Sequence, residues 1–423
     1  MGDRDIFMST ESVWTQLPFQ ILIDIFKNLS NRDKFNAAMT CKAWVPILDV
    51  PALFTTGHFL FPLDDDKRAL LFARTRGKWL RHVYADCSQK LDDTPQSGPS
   101  TPPGTEVVNE FVASLLQGRC IKLRTISLKN IAYPKHYYDR VDYPTRPEPD
   151  LVNLIISLLG EQQELQELDL TNAWLRYDEG CHLLEEASST CARTLRKLAV
   201  DRFVAVIYSN SDLSEFYSAL FSFKNLTELE LGYICLSCEF LYDLSRASIG
   251  GLPLRVLKVR ATYTANVVSM TSSGAWKQIT AHIPDLKVIF FIKSKSRSEE
   301  SYKDTIPMIV LTRSMPLHAL HWDSGLLVAV KNIIKCFEYI ASNFKTTLHH
   351  LELTSEVRLD KEAIGELFQK LQASERLKSF ALDLPCDLKT DQQEYKNAIS
   401  EAVENHRATY AVTLNGQKLS GAR

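Results

Sequence analysis

Two hydrophobic patterns divide this chain. Between residues 13 and 54 the apolar positions recur at helical spacing. Ile21, Leu22, Ile25, Phe26 and Leu29 fall on one side of a predicted helix, with Asp24, Lys27 and Asn28 opposite. Pro18 suits the first turn, where its missing N–H has no partner to lose. Ser30 followed by Asp33 reads as a capping box for a second helix carrying Phe35, Ala37, Ala38 and Met39. A third short helix is predicted around Cys41 and Trp44, ending before Pro51. Three helices in about 40 residues bury only a small core, so such a module leans on a partner or a neighbouring domain. Two readings follow from the spacing: a docking module with an open apolar face, or a helical cap for what comes next.

Beyond residue 75 the pattern changes to an apolar residue, two variable ones, an apolar one, one variable and another apolar. It reads Leu165-x-x-Leu168-x-Leu170, Leu195-x-x-Leu198-x-Val200, Leu226-x-x-Leu229-x-Leu231 and Leu254-x-x-Leu257-x-Val259. It continues as Leu286-x-x-Ile289-x-Phe291, Leu317-x-x-Leu320-x-Trp322, Leu348-x-x-Leu351-x-Leu353 and Leu377-x-x-Phe380-x-Leu382. Weaker copies start at Leu80, Leu123 and Thr409. The step is about 30 residues, enough for one strand and one helix. Helical stripes between the motifs agree: Leu327, Val330, Ile333, Ile334, Phe337 and Ile340 form one, and Ile364, Leu367, Phe368 and Leu371 another. A constant period of this kind predicts an α/β solenoid, with parallel strands on the concave side and helices on the convex side. The asparagine ladder of regular leucine-rich repeats is not found, so the array is expected to be irregular. A doubly wound sheet is the alternative, but no Gly-rich phosphate loop follows any strand.

Composition narrows the function classes. Across 423 residues, 49 Lys and Arg balance 51 Asp and Glu, for a net charge of −2, which argues against a dedicated nucleic-acid binder. No apolar run approaches the roughly 20 residues of a membrane span. The amino terminus shows no secretory signal, and nine irregularly spaced cysteines argue against a disulfide framework. A reducing compartment, cytoplasm or nucleus, is expected. Cys235 and Cys238 form a Cys-x-x-Cys without a second pair, which reads as packing rather than a metal site. No cofactor or metal is expected. Nucleophile-elbow, zincin and phosphate-loop motifs are absent from the sequence, so no catalytic residues are assigned.

The N-terminal residues Leu17-Pro18, Ile21-Leu22, Ile25-Phe26, Leu29, Asp33-Lys34, Ala37-Ala38-Met39, Cys41-Lys42 and Trp44, closed by Leu53-Phe54, resemble an F-box. Gln20, Thr40 and Phe54 depart from the residues usual in that family. The resemblance implies docking to the Skp adaptor, and through it to cullin and RING subunits, by Leu17, Pro18, Ile21, Leu22, Ile25, Phe26, Leu29 and Met39. Residues 11–56 are assigned to the F-box and 57–423 to the solenoid. The array is similar to that of animal F-box-only proteins of the type called F-box only protein 39. Trp14, the stretch Ala205-Val206-Ile207-Tyr208-Ser209, and Trp276 followed by residues 286–291 carry that likeness. It implies a substrate-recognition subunit of an SCF-type ubiquitin ligase, not an enzyme. An F-box scaffold or ligand receptor that drives no degradation is the alternative.

Within each predicted strand the residues between the apolar ones point to the concave face. Glu167, Asp169, Glu228 and Glu230 there would favour a basic segment of a protein target, unless they simply form a solvated face. Lys258 and Arg260 form a small basic pair. The strand from Leu286 is apolar on both faces. Val288, Phe290 and Ile292 are expected to point outward, either under a covering loop or as an anchor for the target. Two insertions, 88–104 and 132–149, interrupt the early repeats. The first is rich in Pro, Ser and Gly, and the second holds four tyrosines.

Overall fold

Pro18 stands in extended conformation, and the first helix, α1 (Phe19–Lys27), starts directly after it. Ser30 caps α2 (Asn31–Thr40): its Oγ accepts from the Asp33 N–H at 3.1 Å and donates to the Asp33 carboxylate at 2.6 Å. The third segment, Lys42–Asp49, winds as a 3₁₀ helix with Pro46 inside it, where a ring nitrogen cannot supply an α-helical hydrogen bond. A second 3₁₀ turn, Pro51–Leu53, follows. Leu22, Phe26, Ala38, Ile47, Leu53 and Phe54 close a small core of their own.

The computed structural model describes residues 16–61, 66–87, 105–131, 149–204, 213–262, 271–293, 306–325, 328–371, 373–385, 409–414 and 417–418. The insertion 88–104, residues 132–148 of the second one, Trp14 and residues 205–209 lie outside them.

From Thr56 onward the described chain builds one sheet. Its strands are β1 (Thr56–Leu60), β2 (His82–Asp86), β3 (Thr125–Lys129), β4 (Glu167–Asp169), β5 (Lys197–Val200), β6 (Glu228–Gly232) and β7 (Val256–Thr262). They continue as β8 (Lys287–Lys293), β9 (Leu317–Asp323), β10 (His350–Thr354), β11 (Ser379–Leu384), β12 (Thr409–Leu414) and β13 (Gln417–Lys418). Spatial order equals sequence order throughout. Every pairing from β1 to β12 is parallel, and β13 turns back antiparallel. The array thus begins a strand earlier than the motif at Leu80 signals. Thr56-Gly57-His58-Phe59-Leu60 lacks the leucine triplet, yet Phe59 is buried in the main core.

The connecting helices are α3 (Asp66–Arg76), α4 (Thr105–Gln117), α5 (Pro149–Gly160), α6 (Tyr177–Cys191), α7 (Ser214–Phe221), α8 (Cys238–Ile249), α9 (Ser273–His282), α10 (Ile306–Val310), α11 (Val330–Asn343) and α12 (Lys361–Leu371). Because the strand order never reverses, right-handed crossovers bring all of them to one face of the sheet. A doubly wound sheet, whose order reverses, is excluded for this region. The leucines at the head of the repeats, such as Leu80, Leu195, Leu226 and Leu348, are fully buried between sheet and helices. Trp276 of α9 and Trp322 of β9 are the largest side chains in that layer. A long parallel sheet with one helical layer is consistent with a repeat solenoid.

A short polar chain crosses the strand ends. Asn130 donates to the Asp86 carboxylate, and Asn172 donates to the Asn130 side chain, both at 2.7 Å. Both asparagines have positive φ, 57° and 61°, a conformation Asn tolerates better than most residues. These two rungs follow β3 and β4, one residue earlier than the ladder position of regular leucine-rich repeats, so the motif does not reveal them.

Candidate functional site

Two surfaces carry candidate chemistry. The first is the N-terminal helical face. On α1, Leu22 and Phe26 are 5% and 1% exposed, while Ile21 and Ile25 are 46% and 42% exposed. Residues four apart share a helix face, and 22 and 26 are the pair turned into the core. Phe26 meets Trp44 edge-on at 6.0 Å between ring centres. Leu22 and Phe26 are therefore core residues of this chain and not part of an open docking face; the helix must spend one face on its own module. Leu17 and Leu29 are half-buried against the same core. Pro18, Ile21, Ile25 and Met39 are open, Met39 at 80%. Phe19, Phe35 and Val45 are also exposed. All three lie outside the docking set read from the sequence, although Phe35 stands among the apolar positions given for the second helix.

This module is fixed to the sheet. Phe54 packs against Phe72 of α3 at 5.8 Å and stacks on Trp79 at 6.2 Å. The Arg76 guanidinium lies 4.5 Å from the Trp79 ring centre and pairs with Asp49 at 2.9 Å. Asn31 donates to the Thr56 carbonyl at 3.2 Å, tying α2 to the first strand. The buried Lys34 sits over the Phe54 ring at 5.7 Å, and burial lowers its ammonium pKa.

The second surface is the sheet face turned away from the helices. Here Glu167 pairs with Lys197 at 2.6 Å and Asp169 with Lys129 at 2.9 Å. Glu228 pairs with Lys258, and Glu230 with Arg260. The four carboxylates expected to attract a basic segment are thus each matched by a cation of a neighbouring strand, as are Lys258 and Arg260. Cross-strand pairs of this kind stabilise a sheet modestly and leave little free charge.

Strand β8 corrects the sequence frame. Val288, Phe290 and Ile292 are 0–2% exposed and lie in the core, paired in register with Leu257, Val259 and Ala261 of β7. Ile289 and Phe291 point outward instead. The segment is apolar at 286 and from 288 to 292, so both frames read alike, and a one-residue shift reverses every side chain. A register irregularity between Val288 and Ile289 marks the same place.

The corrected frame assembles a row. Arg260, Phe291, His321 and Glu352 are direct neighbours across β7, β8, β9 and β10. Arg260 lies 4.5 Å from the Phe291 ring centre, and the Phe291 and His321 rings stack 4.6 Å apart with planes 8° from parallel. His321 Nδ1 bonds the Glu352 carboxylate at 2.6 Å. Gly232 ends the row on β6 because the Asp201 carboxylate crowds it: a Cβ there would lie 2.9 Å from Asp201 Oδ1. Burial pushes the Asp201 carboxyl up to about 6, opposed by Arg202 and Arg260.

The thiols of Cys87, Cys120 and Cys235 are pushed up to about 12, chiefly by burial, and so are poor nucleophiles. Among the described residues no group of three His, Cys, Asp or Glu side chains could hold a metal ion. No described helix is long and apolar enough to cross a membrane. His318 and His321 belong to different clusters, since His318 packs on His349 at 4.4 Å and His321 on Phe291. Residues 14–58 match the family described as F-box-like, so the capped helix pair, its 3₁₀ turns and its open apolar face form an F-box-like domain at the start of a long parallel-sheet array.

Proposed function

We propose that this chain is the substrate-recognition subunit of an SCF-type, cullin-RING ubiquitin ligase. The F-box-like domain takes the Skp adaptor, which brings the cullin and RING subunits, and the array presents a protein target. The observation that carries this reading is the exposure of Ile21, Ile25 and Met39 on a domain whose own core is already closed. A set of open apolar side chains on a folded module fits a protein partner. The aromatic and ionic weld at Phe54, Trp79 and Arg76 supports a fixed distance between adaptor and target, which is what catalysis by proximity requires. The chain itself contributes no chemistry.

The array is read as leucine-rich-repeat-like, with strands concave and helices convex. Its boundary with the F-box is set between residues 56 and 57, which falls just after the first residue of β1. The target face is the row of Arg260, Phe291 and His321 with Ile289 beside it, flanked by the paired Glu167, Asp169, Glu228, Glu230 and Lys258. Phe291 offers an aromatic anchor and Arg260 a fork held flat against it, the residue types that dominate protein interfaces. The closer likeness to F-box-only proteins of type 39 belongs to this proposal, as does a cytoplasmic or nuclear location.

The test compares proteins bound by the intact chain and by a chain lacking residues 11–56, with and without proteasome inhibition. Targets that accumulate on inhibition only when the intact chain is present support the ligase reading. Bound proteins whose abundance never changes support a scaffold instead.

A further inference from the structure

The turns that lead from each helix back into the sheet repeat one register position. The backbone places these residues side by side: the Arg124 N–H bonds the Arg81 carbonyl at 2.6 Å, Gln166 bonds Arg124 at 2.8 Å, and Arg196 bonds Gln166 at 2.8 Å. Thr227 then bonds Arg196 at 2.8 Å, Arg255 bonds Thr227 at 2.9 Å, His349 bonds His318 at 2.9 Å, and Lys378 bonds His349 at 2.8 Å. In sequence this is the residue after the leading leucine of the repeat. It is Arg or Lys at Arg81, Arg124, Arg196, Arg255, Lys287 and Lys378, His at His318 and His349, neutral at Gln166 and Thr227, and acidic at none of these positions.

These cations differ from those on the sheet face. There, Lys129, Lys197, Lys258 and Arg260 each have a carboxylate partner. On the edge, Arg196, Arg255 and Lys378 are exposed and hold no ion pair among the described residues. Arg124 reaches Glu164 only at 3.8 Å, both side chains about half exposed. A chain with net charge −2 thus gathers unmatched positive charge along one edge. Strands lie about 4.8 Å apart, so the line from β2 to β11 is about 43 Å long, the reach of about 13 extended residues.

We propose that this edge is a docking strip for an acidic, extended segment of a protein partner. Cationic rungs one or two strands apart, about 4.8 or 9.6 Å, lie within reach of the carboxylates on long Glu side chains of an extended peptide. Arg forks pair with carboxylates in two-pronged fashion. A continuous phosphate backbone fits less well. It would leave phosphates unneutralised at Gln166 and Thr227, on a chain with no basic surplus. The strip belongs to the array, so it takes its segment whether or not the F-box-like domain docks an adaptor.

The experiment is fluorescence anisotropy on the full chain with two probes of about equal charge: a labelled, unstructured Glu/Ser peptide of about 14 residues and a single-stranded oligothymidylate. Arg196→Glu/Arg255→Glu reverses two strip charges. Arg246→Glu/Lys335→Glu makes the same net change on exposed helical positions. The peptide is expected to bind wild type more tightly than the oligonucleotide does. Its affinity should fall at least about tenfold in the strip variant and stay within about twofold in the helical one. Arg196→Gln/Arg255→Gln, a milder change with a circular-dichroism melt as the folding control, should give an intermediate loss. Equal losses in the strip and helical variants, tighter binding of the oligonucleotide, or no peptide binding at low salt would overturn the proposal.

Discussion

The rings of Phe54 and Trp79 stack with centroids 6.2 Å apart and planes 27° from parallel, joining the last turn of the F-box-like domain to the turn before β2. Phe54 is fully buried, and Arg76 covers both rings. Phe54→Ala should cost about 3–5 kcal/mol, the usual range for a buried Phe. The loss should also uncouple the two parts. Hydrogen exchange should rise across residues 19–49 while the amides of β5 to β10 stay protected. Uniform loss of protection would mean that the weld matters to the whole array equally.

The frame of β8 is testable by two adjacent substitutions. Phe290→Ala removes a ring from the core and should cost about 3–5 kcal/mol. Phe291→Ala removes one stacked on the surface between Arg260 and His321, and should cost no more than about 1.5 kcal/mol. Urea unfolding of both variants measures the difference. Under the proposed function, Phe291→Ala should also lose target binding, which Phe290→Ala loses only through unfolding.

The half-buried His318 and the buried Asp201 titrate in opposite senses. His318 is lowered to about 4, by burial first and then by His349 and its cationic neighbours. The unfolded chain takes up that proton near 6.5, so the His318 contribution is complete above 6.5 and is lost as pH falls towards 4. His318→Asn should flatten the acid side of the stability curve. Asp201 is raised to about 6. Its folded form holds a proton that the unfolded chain releases near 3.8, so this residue lowers stability as pH rises from about 4 to 6. Asp201→Asn should therefore gain on wild type through that window and hold a constant advantage above it. Denaturant midpoints across pH 4 to 8 check both.

Cysteine reactivity follows burial. Cys87, Cys120, Cys181, Cys191 and Cys235 are buried, whereas Cys41 and Cys238 are partly open. Among the described residues, brief iodoacetamide treatment of the native chain should label Cys41 and Cys238 first. Mass spectrometry that found Cys235 labelled at the same rate would contradict the packing around β6.

The leucine triplets made most of the array legible, because one buried face per strand imposes its period directly on the sequence. Leu80 through Leu377 are where that periodicity puts them. The pattern failed where burial does not select between frames. At β8 both faces are apolar, so the motif reads Ile289 and Phe291 inward and Phe290 outward, the reverse of the structure. At β1 a single phenylalanine stands in for the triplet. On α1 the apolar spacing gives the helix but not which residues it keeps: Leu22 and Phe26 go to its own core, and Ile21 and Ile25 remain outside. Charge pairing was illegible for a different reason. Glu228 and Lys258 lie 30 residues apart, and only the strand register brings them together. The Ser30 cap, by contrast, is a local interaction and was fully written in the sequence.

The central claim is that the F-box-like domain keeps an apolar face free for an adaptor while its own core stays closed. Isothermal titration of purified Skp adaptor into the full chain, repeated with Ile25→Glu/Met39→Glu, tests it most directly. Both residues are exposed, so the account predicts a melting temperature unchanged within about 2 °C and adaptor affinity reduced at least about a hundredfold. Unchanged affinity in that variant, with the fold intact, would contradict it.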